Sequence, residues 1–188
     1  MSKYCEQKEV EGYLDRDLTE SEKAIIDIII ESVSAYIDNH CGRTFTKEEA
    51  TVKYYDGTGV DILFIDPVYS LTGFTLESID EDGDVSTEYD INDDFELMPY
   101  NEFPKTQIKL RGGEFTKGIK RYRITADFGY EKIPASVRTA TMVITGLILK
   151  NPDNFKSETI EGYRMDVAEN LTPEIQRLLD ALPVQVLI

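Results

Sequence analysis

The chain has 188 residues and a formal charge of -16, with 20 basic residues against 36 acidic ones. That length buries a core without disulfides or metals, a hydrophobic share of 41% excludes disorder, and no apolar run approaches the roughly 20 residues of a membrane-spanning helix. So much negative charge repels duplex DNA and excludes a simple DNA-binding protein.

Met1 to Glu11 is polar and charged where a secretory signal needs an apolar stretch, so synthesis in the cytoplasm is expected. A short helical segment ends near Tyr13 and Leu14. Thr19 then stands three residues before Glu22, the spacing of a capping box, and predicts a helix start. Ala24, Ile25, Ile28, Ile29, Val33, Tyr36 and Ile37 recur at helical spacing, Ile26 and Ile30 widen the apolar face, and Gly42 suits a left-handed cap. One long helix, Glu20 to Cys41, is expected.

From Ala50 the period becomes that of strands: Thr51 to Tyr55, Ile62 to Ile65, Leu71 to Leu76, Tyr89 to Ile91, Phe95 to Leu97, Gln107 to Leu110 and Tyr122 to Ala126. Asp56-Gly57-Thr58-Gly59, Asp82-Gly83 and Arg111-Gly112-Gly113 supply turns, so a mainly antiparallel sheet or small sandwich follows. Pro134 opens a second long helix bearing Val137, Ala140, Ile144, Leu147 and Ile148, which Asn151-Pro152 ends. Glu158 to Val167 reads as an extended arm or hairpin. Thr172-Pro173 starts a short helix presenting Ile175, Leu178, Leu179 and Leu182, and Pro183 leaves an apolar tail, Val184 to Ile188. The expected class is α+β: a small bundle of two long helices and a short C-terminal helix, with an inserted β region. Residues 1–188 form one domain in this reading, with the insertion at 51–126 and a C-terminal arm and helix at 157–188.

Catalytic and metal chemistry find little footing. Cys5 and Cys41 lie far apart in no ligand or redox spacing and read as reduced, partly buried thiols. His40 is the only histidine, so no zinc cluster or histidine-rich site forms within one chain. Its neighbour Cys41 points about 100° away on the same helix, and a basic group in a last helical turn has an electrostatic reason to be there. No catalytic residue and no cofactor is assigned. The carboxylates from Asp80 to Glu96 invite a calcium loop, but an EF-hand alignment on Asp80, Asp82 and Gly83 puts Ser78 first and Tyr89 twelfth, where acids are wanted. A solvated acidic hairpin is the simpler identity, and no metal ligand is assigned.

Charge is sorted along the chain. Lys105, Lys109, Arg111, Lys117, Lys120, Arg121 and Arg123 stand against Glu114 alone, just after the acidic block that includes Asp80, Asp82 and Asp84. Two solvated hairpins would explain this. So would a basic surface on one subunit meeting the acidic surface of the next, a head-to-tail contact that closes into a ring when its rotation closes.

Three stretches resemble the head-tail connector (adaptor) proteins of tailed bacteriophages. They are Ser34-Ala35-Tyr36-Ile37-Asp38-Asn39-His40-Cys41-Gly42-Arg43-Thr44-Phe45; Phe128-Gly129-Tyr130 to Ile133-Pro134 leading into Val137-Arg138-Thr139-Ala140; and Ser157-Glu158-Thr159-Ile160-Glu161-Gly162-Tyr163 followed by Leu171-Thr172-Pro173-Glu174-Ile175. The long β region, Thr51 to Ala126, resembles longer variants of that family. The resemblance implies a non-enzymatic virion protein, made in the bacterial cytoplasm, in a ring of about a dozen copies. Such a ring lies beneath the portal protein, extends the channel through which DNA passes without specific binding, and offers a platform to the next neck or tail-completion protein. It also implies a portal contact through the C-terminal segment, here Val184, Val186, Leu187 and Ile188. No membrane partner is expected. The alternative from the residues is an acidic, calcium-assisted β module that binds a receptor or carbohydrate.

Overall fold

A computed structural model describes residues 2–151, 156–159, 162–165 and 173–182. The first elements are α1 (Gln7–Leu14), α2 (Glu20–Cys41), β1 (Glu48–Gly57) and β2 (Ile62–Ile79). β3 (Val85–Tyr89), β4 (Phe95–Met98), β5 (Lys105–Leu110) and β6 (Gly118–Phe128) follow. α3 (Ala135–Lys150), β7 (Lys156–Thr159), β8 (Gly162–Met165) and α4 (Pro173–Asp180) complete the order. The class is α+β, and the chain divides into two compact units, one of Met1–Phe45 with Ile133–Ile188 and one of Thr46–Lys132.

In the helical unit the local signals act as the sequence predicts. Thr19 Oγ1 accepts from the Glu22 amide at 3.3 Å while the Glu22 carboxylate accepts from the Thr19 amide at 2.8 Å, so two orphan donors at the start of α2 are satisfied. Arg16 grips the same carboxylate through both guanidinium nitrogens, at 2.8 and 2.6 Å. Gly42 ends α2 in the left-handed region at φ 66°, where a Cβ would be strained. The buried stripe of α2 is Ile26, Ile29, Ile30, Val33, Ile37 and Cys41. Ile25 and Ile28, expected on that stripe, face out instead, because five isoleucines in six positions exceed what one packing face takes in.

α3 packs against α1, α2 and α4. Its Gly146 admits the Tyr13 ring so closely that an added Cβ would lie 2.5 Å from it. Tyr4 ties the N-terminal segment to the end of α2: its hydroxyl donates to Asp38 and accepts from the Phe45 amide at 2.9 Å, and its ring meets Phe45 edge-on. β7 and β8 pair antiparallel, in agreement with the hairpin expected there, and Ile175, Leu179 and Leu182 are buried about α4.

The β unit is one six-stranded antiparallel sheet in the order β1-β6-β2-β5-β4, with β3 also on β2. Two expected strands, Ile62 to Ile65 and Leu71 to Leu76, are one 18-residue strand. Register breaks between Phe64 and Val68 and between Ser70 and Thr75 absorb Pro67, in the gap between the two expected strands, and Gly73, inside the second. Its first half pairs with β5, and its second half lies between β6 and β3. The strand expected at Tyr89 to Ile91 lies earlier, at Val85–Tyr89, because Asp90 and Asp94 close a tight turn through Asp94 Oδ2 and the Asp90 carbonyl. Alternation along β6 sends Tyr122, Ile124, Ala126 and Phe128 into the core beside Leu63, Val68, Leu76, Phe95, Ile108 and Phe115.

Gly129 closes this unit at φ 96°, and a Cβ there would fall 1.9 Å from the Thr46 carbonyl oxygen. Gly129→Ala is expected to cost at least about 2 kcal/mol, read as a lowered midpoint in thermal unfolding, because strain and collision add. The Arg16 contact, with burial opposing and Thr19 assisting, holds the Glu22 carboxyl down to about 2 from its ordinary 4.5. A lowered folded-state pKa stabilises above the unfolded value and is lost as pH falls through the folded one. The contribution of Glu22 is therefore complete above about pH 4.5 and vanishes toward pH 2. Unfolding followed by circular dichroism across that window should show a shallower acid loss in Glu22→Gln.

Candidate interaction surfaces

The basic residues of the β unit differ in burial and in partners. Lys105 is 4% exposed: its ammonium donates to the carbonyls of Pro99 and Tyr100, the latter at 2.9 Å, and lies 4.7 Å from the Phe103 ring centroid. Burial lowers its pKa, against the raising charge of Glu102. It is thus removed from the basic surface proposed from the sequence and acts as a brace inside the β4–β5 loop. Lys109 lies 3.8 Å from Asp61, Arg111 2.7 Å from Glu96 and Arg123 2.6 Å from Glu77. Hydrogen bonding to Arg123 holds the Glu77 carboxyl below its usual range. These solvent-accessible pairs, most of them half-buried, add about 1 kcal/mol each, and they balance charge within the sheet.

Lys117, Lys120 and Arg121 stand apart from those pairs. They line an open cleft whose other residues include Asp80, Glu81, Asp82, Tyr54 and Ile119. Among the described residues no ion pair within 4.0 Å engages these three cations. Pairing of β2 with β6 brings the acidic turn beside the basic one, so the two blocks that are separate in sequence meet in one chain. Lys120 adopts φ 49°, and its amide donates to Asp56 at 2.7 Å, which fixes the turn.

The acidic turn is built for its own backbone. Asp80 Oδ1 accepts from the amides of Asp82 at 3.0 Å and Asp84 at 2.9 Å, and Gly83 takes φ 91°. Among the described residues no three His, Cys, Asp or Glu side chains gather as a metal site. Cys5 and Cys41 are free and buried, and burial pushes the Cys5 thiol up to about 12. His40 sits in the last turn of α2. Val184, Val186, Leu187 and Ile188 lie outside the described residues.

Three apolar surfaces escaped the sequence reading. Tyr100 and Phe103 project from the β4–β5 loop at 59% and 55% exposure, held from beneath by Lys105. Val52 and Tyr54 on β1 form a second surface, with Ile119, 81% exposed, in the same cleft as Tyr54, and Ile25 with Ile28 on α2 a third. The available signal was two aromatics in Pro99-Tyr100-Asn101-Glu102-Phe103-Pro104, where a polar turn is usual.

A family model for head completion proteins matches residues 5–181. The chain belongs to the head completion protein family. That membership agrees with the connector resemblance read from the helices, and the matched residues run through both units of this head completion protein. Among solved structures it is similar to a chain in the neck of an empty GTA particle computed with C6 symmetry, at 14% identity and TM-score 0.57, covering 96% of this chain and 90% of that one. A chain in the virion of a native gene transfer agent particle gives 14% identity and TM-score 0.53, with 95% and 90% covered. These likenesses extend to the β unit as well as the helices. No curated protein sequence matches the chain.

Charge-assisted hydrogen bonds of the Lys105 type contribute about 1.5–3 kcal/mol each. Lys105→Met should therefore speed hydrogen exchange of the 100–103 amides by about ten-fold or more, while amides of β6 keep their protection.

Proposed function

We propose that this head completion protein is a structural subunit of the neck, assembled as a ring of about a dozen copies beneath the portal. The observation that carries the reading is the family match over residues 5–181, and the whole-chain likeness to a neck chain supports it. The ring extends the exit channel for DNA and offers the next neck or tail-completion protein its attachment surface. It has no enzymatic part.

The charge of the chain suits such a position. A channel through which DNA slides must not grip phosphates, and -16 per copy supplies a negative lining in which no counterion-releasing contact holds the duplex. Between copies, Lys117, Lys120 and Arg121 supply the basic side of the contact. Asp80 and Asp82 already face them across the cleft of the same chain, so the acidic side belongs to other residues. The tail Val184, Val186, Leu187 and Ile188 seats on the portal. The calcium-assisted module is disfavoured by the acidic turn itself, where Asp80 Oδ1 accepts from the amides of Asp82 and Asp84.

Electron microscopy of particles made with this gene interrupted, and with the intact gene supplied in trans, tests the assignment. Heads separated from finished tails, restored by the intact gene, are expected. Normal tailed and infectious particles without the protein would overturn it.

A further inference from the structure

The sheet of the β unit ends in two different edges. β4 and β1 are the outer members of the strand order, and among the described residues neither pairs with a strand on its outer side. The β4 edge leads into the loop that exposes Tyr100 and Phe103. Burying an ammonium at the base of a surface loop is costly unless it is hydrogen-bonded. Here its contacts are two loop carbonyls and the Phe103 ring, so Lys105 holds the aromatic pair in one arrangement before any partner arrives. Aromatic side chains fixed in this way lose little entropy on docking, which is the profile of an interface anchor.

The β1 edge is its counterpart. Val52 and Tyr54 stand out from a ten-residue strand that lacks the proline that would block pairing. Charge distinguishes the two ends. Beside Tyr54 lie Lys117 and Lys120 without ion partners within 4.0 Å, whereas exposed Asp93 and Glu102 flank β4 and its loop. One end therefore sets apolar groups beside Lys117 and Lys120, with Asp80, Glu81 and Asp82 in the same cleft, and the other sets apolar groups beside Asp93 and Glu102.

We propose that the Tyr100–Phe103 loop of one copy seats on the β1 edge of the next, around Val52, Tyr54 and Ile119, with Lys117 and Lys120 facing Glu102 of that loop and Asp93 in the turn before β4. Because the two surfaces differ, the contact is head-to-tail and repeats around a ring instead of ending at a dimer. The occupant of the β1 edge is a second copy of this chain, and the assignment rests on the ring reading above. Lys105 is a positioning residue in this contact: it shapes the loop and meets no neighbour.

A photoreactive phenylalanine analogue at Phe103 of the full chain, carried into assembled particles, tests the contact directly. Irradiation should give chain-to-chain adducts, mapped by mass spectrometry to residues 48–57 or 117–121 of another copy. Tyr54→Glu should lower their yield at least ten-fold while leaving the thermal midpoint of the free protein unchanged. Lys105→Met should lower the yield several-fold with the sheet core still protected from exchange. Adducts to another virion protein, or to a different region of a neighbouring copy, would overturn the assignment. If the probe gives none at Phe103 but chain-to-chain adducts at Ile28, the ring survives and this contact does not. If zero-length cross-linking of particles carrying the unsubstituted chain gives no multimer at all, the ring reading itself is lost.

Discussion

The β unit depends on a single strand being long enough to serve three neighbours. β2 runs for 18 residues, pairs with β5 along its first half and passes between β6 and β3 along its second. Every other pairing in the sheet follows from where β2 breaks register. The breaks place β5 and β4 on one side and β6 and β1 on the other, which leaves two unlike edges. They also set the Asp80 turn at the end of β2 against the Lys117–Arg121 turn at the start of β6.

The helical boundaries were legible because their causes are local. The Thr19–Glu22 box and Gly42 bracket α2 at Glu20 and Cys41, as read from the residues, and Pro134 marks the residue before α3. What lay beyond the sequence was non-local. Pro67 falls between two expected strands, and only β5 and β6 in place hold the chain extended on either side of it as one strand. Ile25 and Ile28 are chemically identical to their buried neighbours, and only the partner helix decides which isoleucines it covers. Lys105 is the sharpest case: residue type says surface, yet the loop carbonyls and an aromatic face make a burial site that no spacing rule encodes.

Charge in this head completion protein works at two ranges. Close pairs such as Arg123 with Glu77 and Arg111 with Glu96 tie strand to strand and cancel within a few ångströms. The remainder is a strongly negative chain in which Lys117, Lys120 and Arg121, in no ion pair among the described residues, gather at one cleft. Copies of such a protein repel one another at a distance, so association relies on local complementarity and apolar contact, and added salt weakens the repulsion. A template that gathers many copies raises their effective concentration and lets contacts too weak for free dimers become effective.

The division of the chain also sets an order in time. The helical unit draws on both ends of the sequence, whereas the β unit is continuous from Thr46 to Lys132. During translation α2 emerges with its isoleucine stripe uncovered, and α3 follows only after the whole sheet has been made. At ribosomal speeds of about 5–20 residues per second the delay is on the order of 5–20 seconds. The sheet therefore has all its strands available first, while the helical unit waits for the C-terminal half to close over α2. A ribosome that stops after residue 132 would release a chain with a complete sheet sequence and a bare apolar helix, a form suited to capture by chaperones and not to assembly.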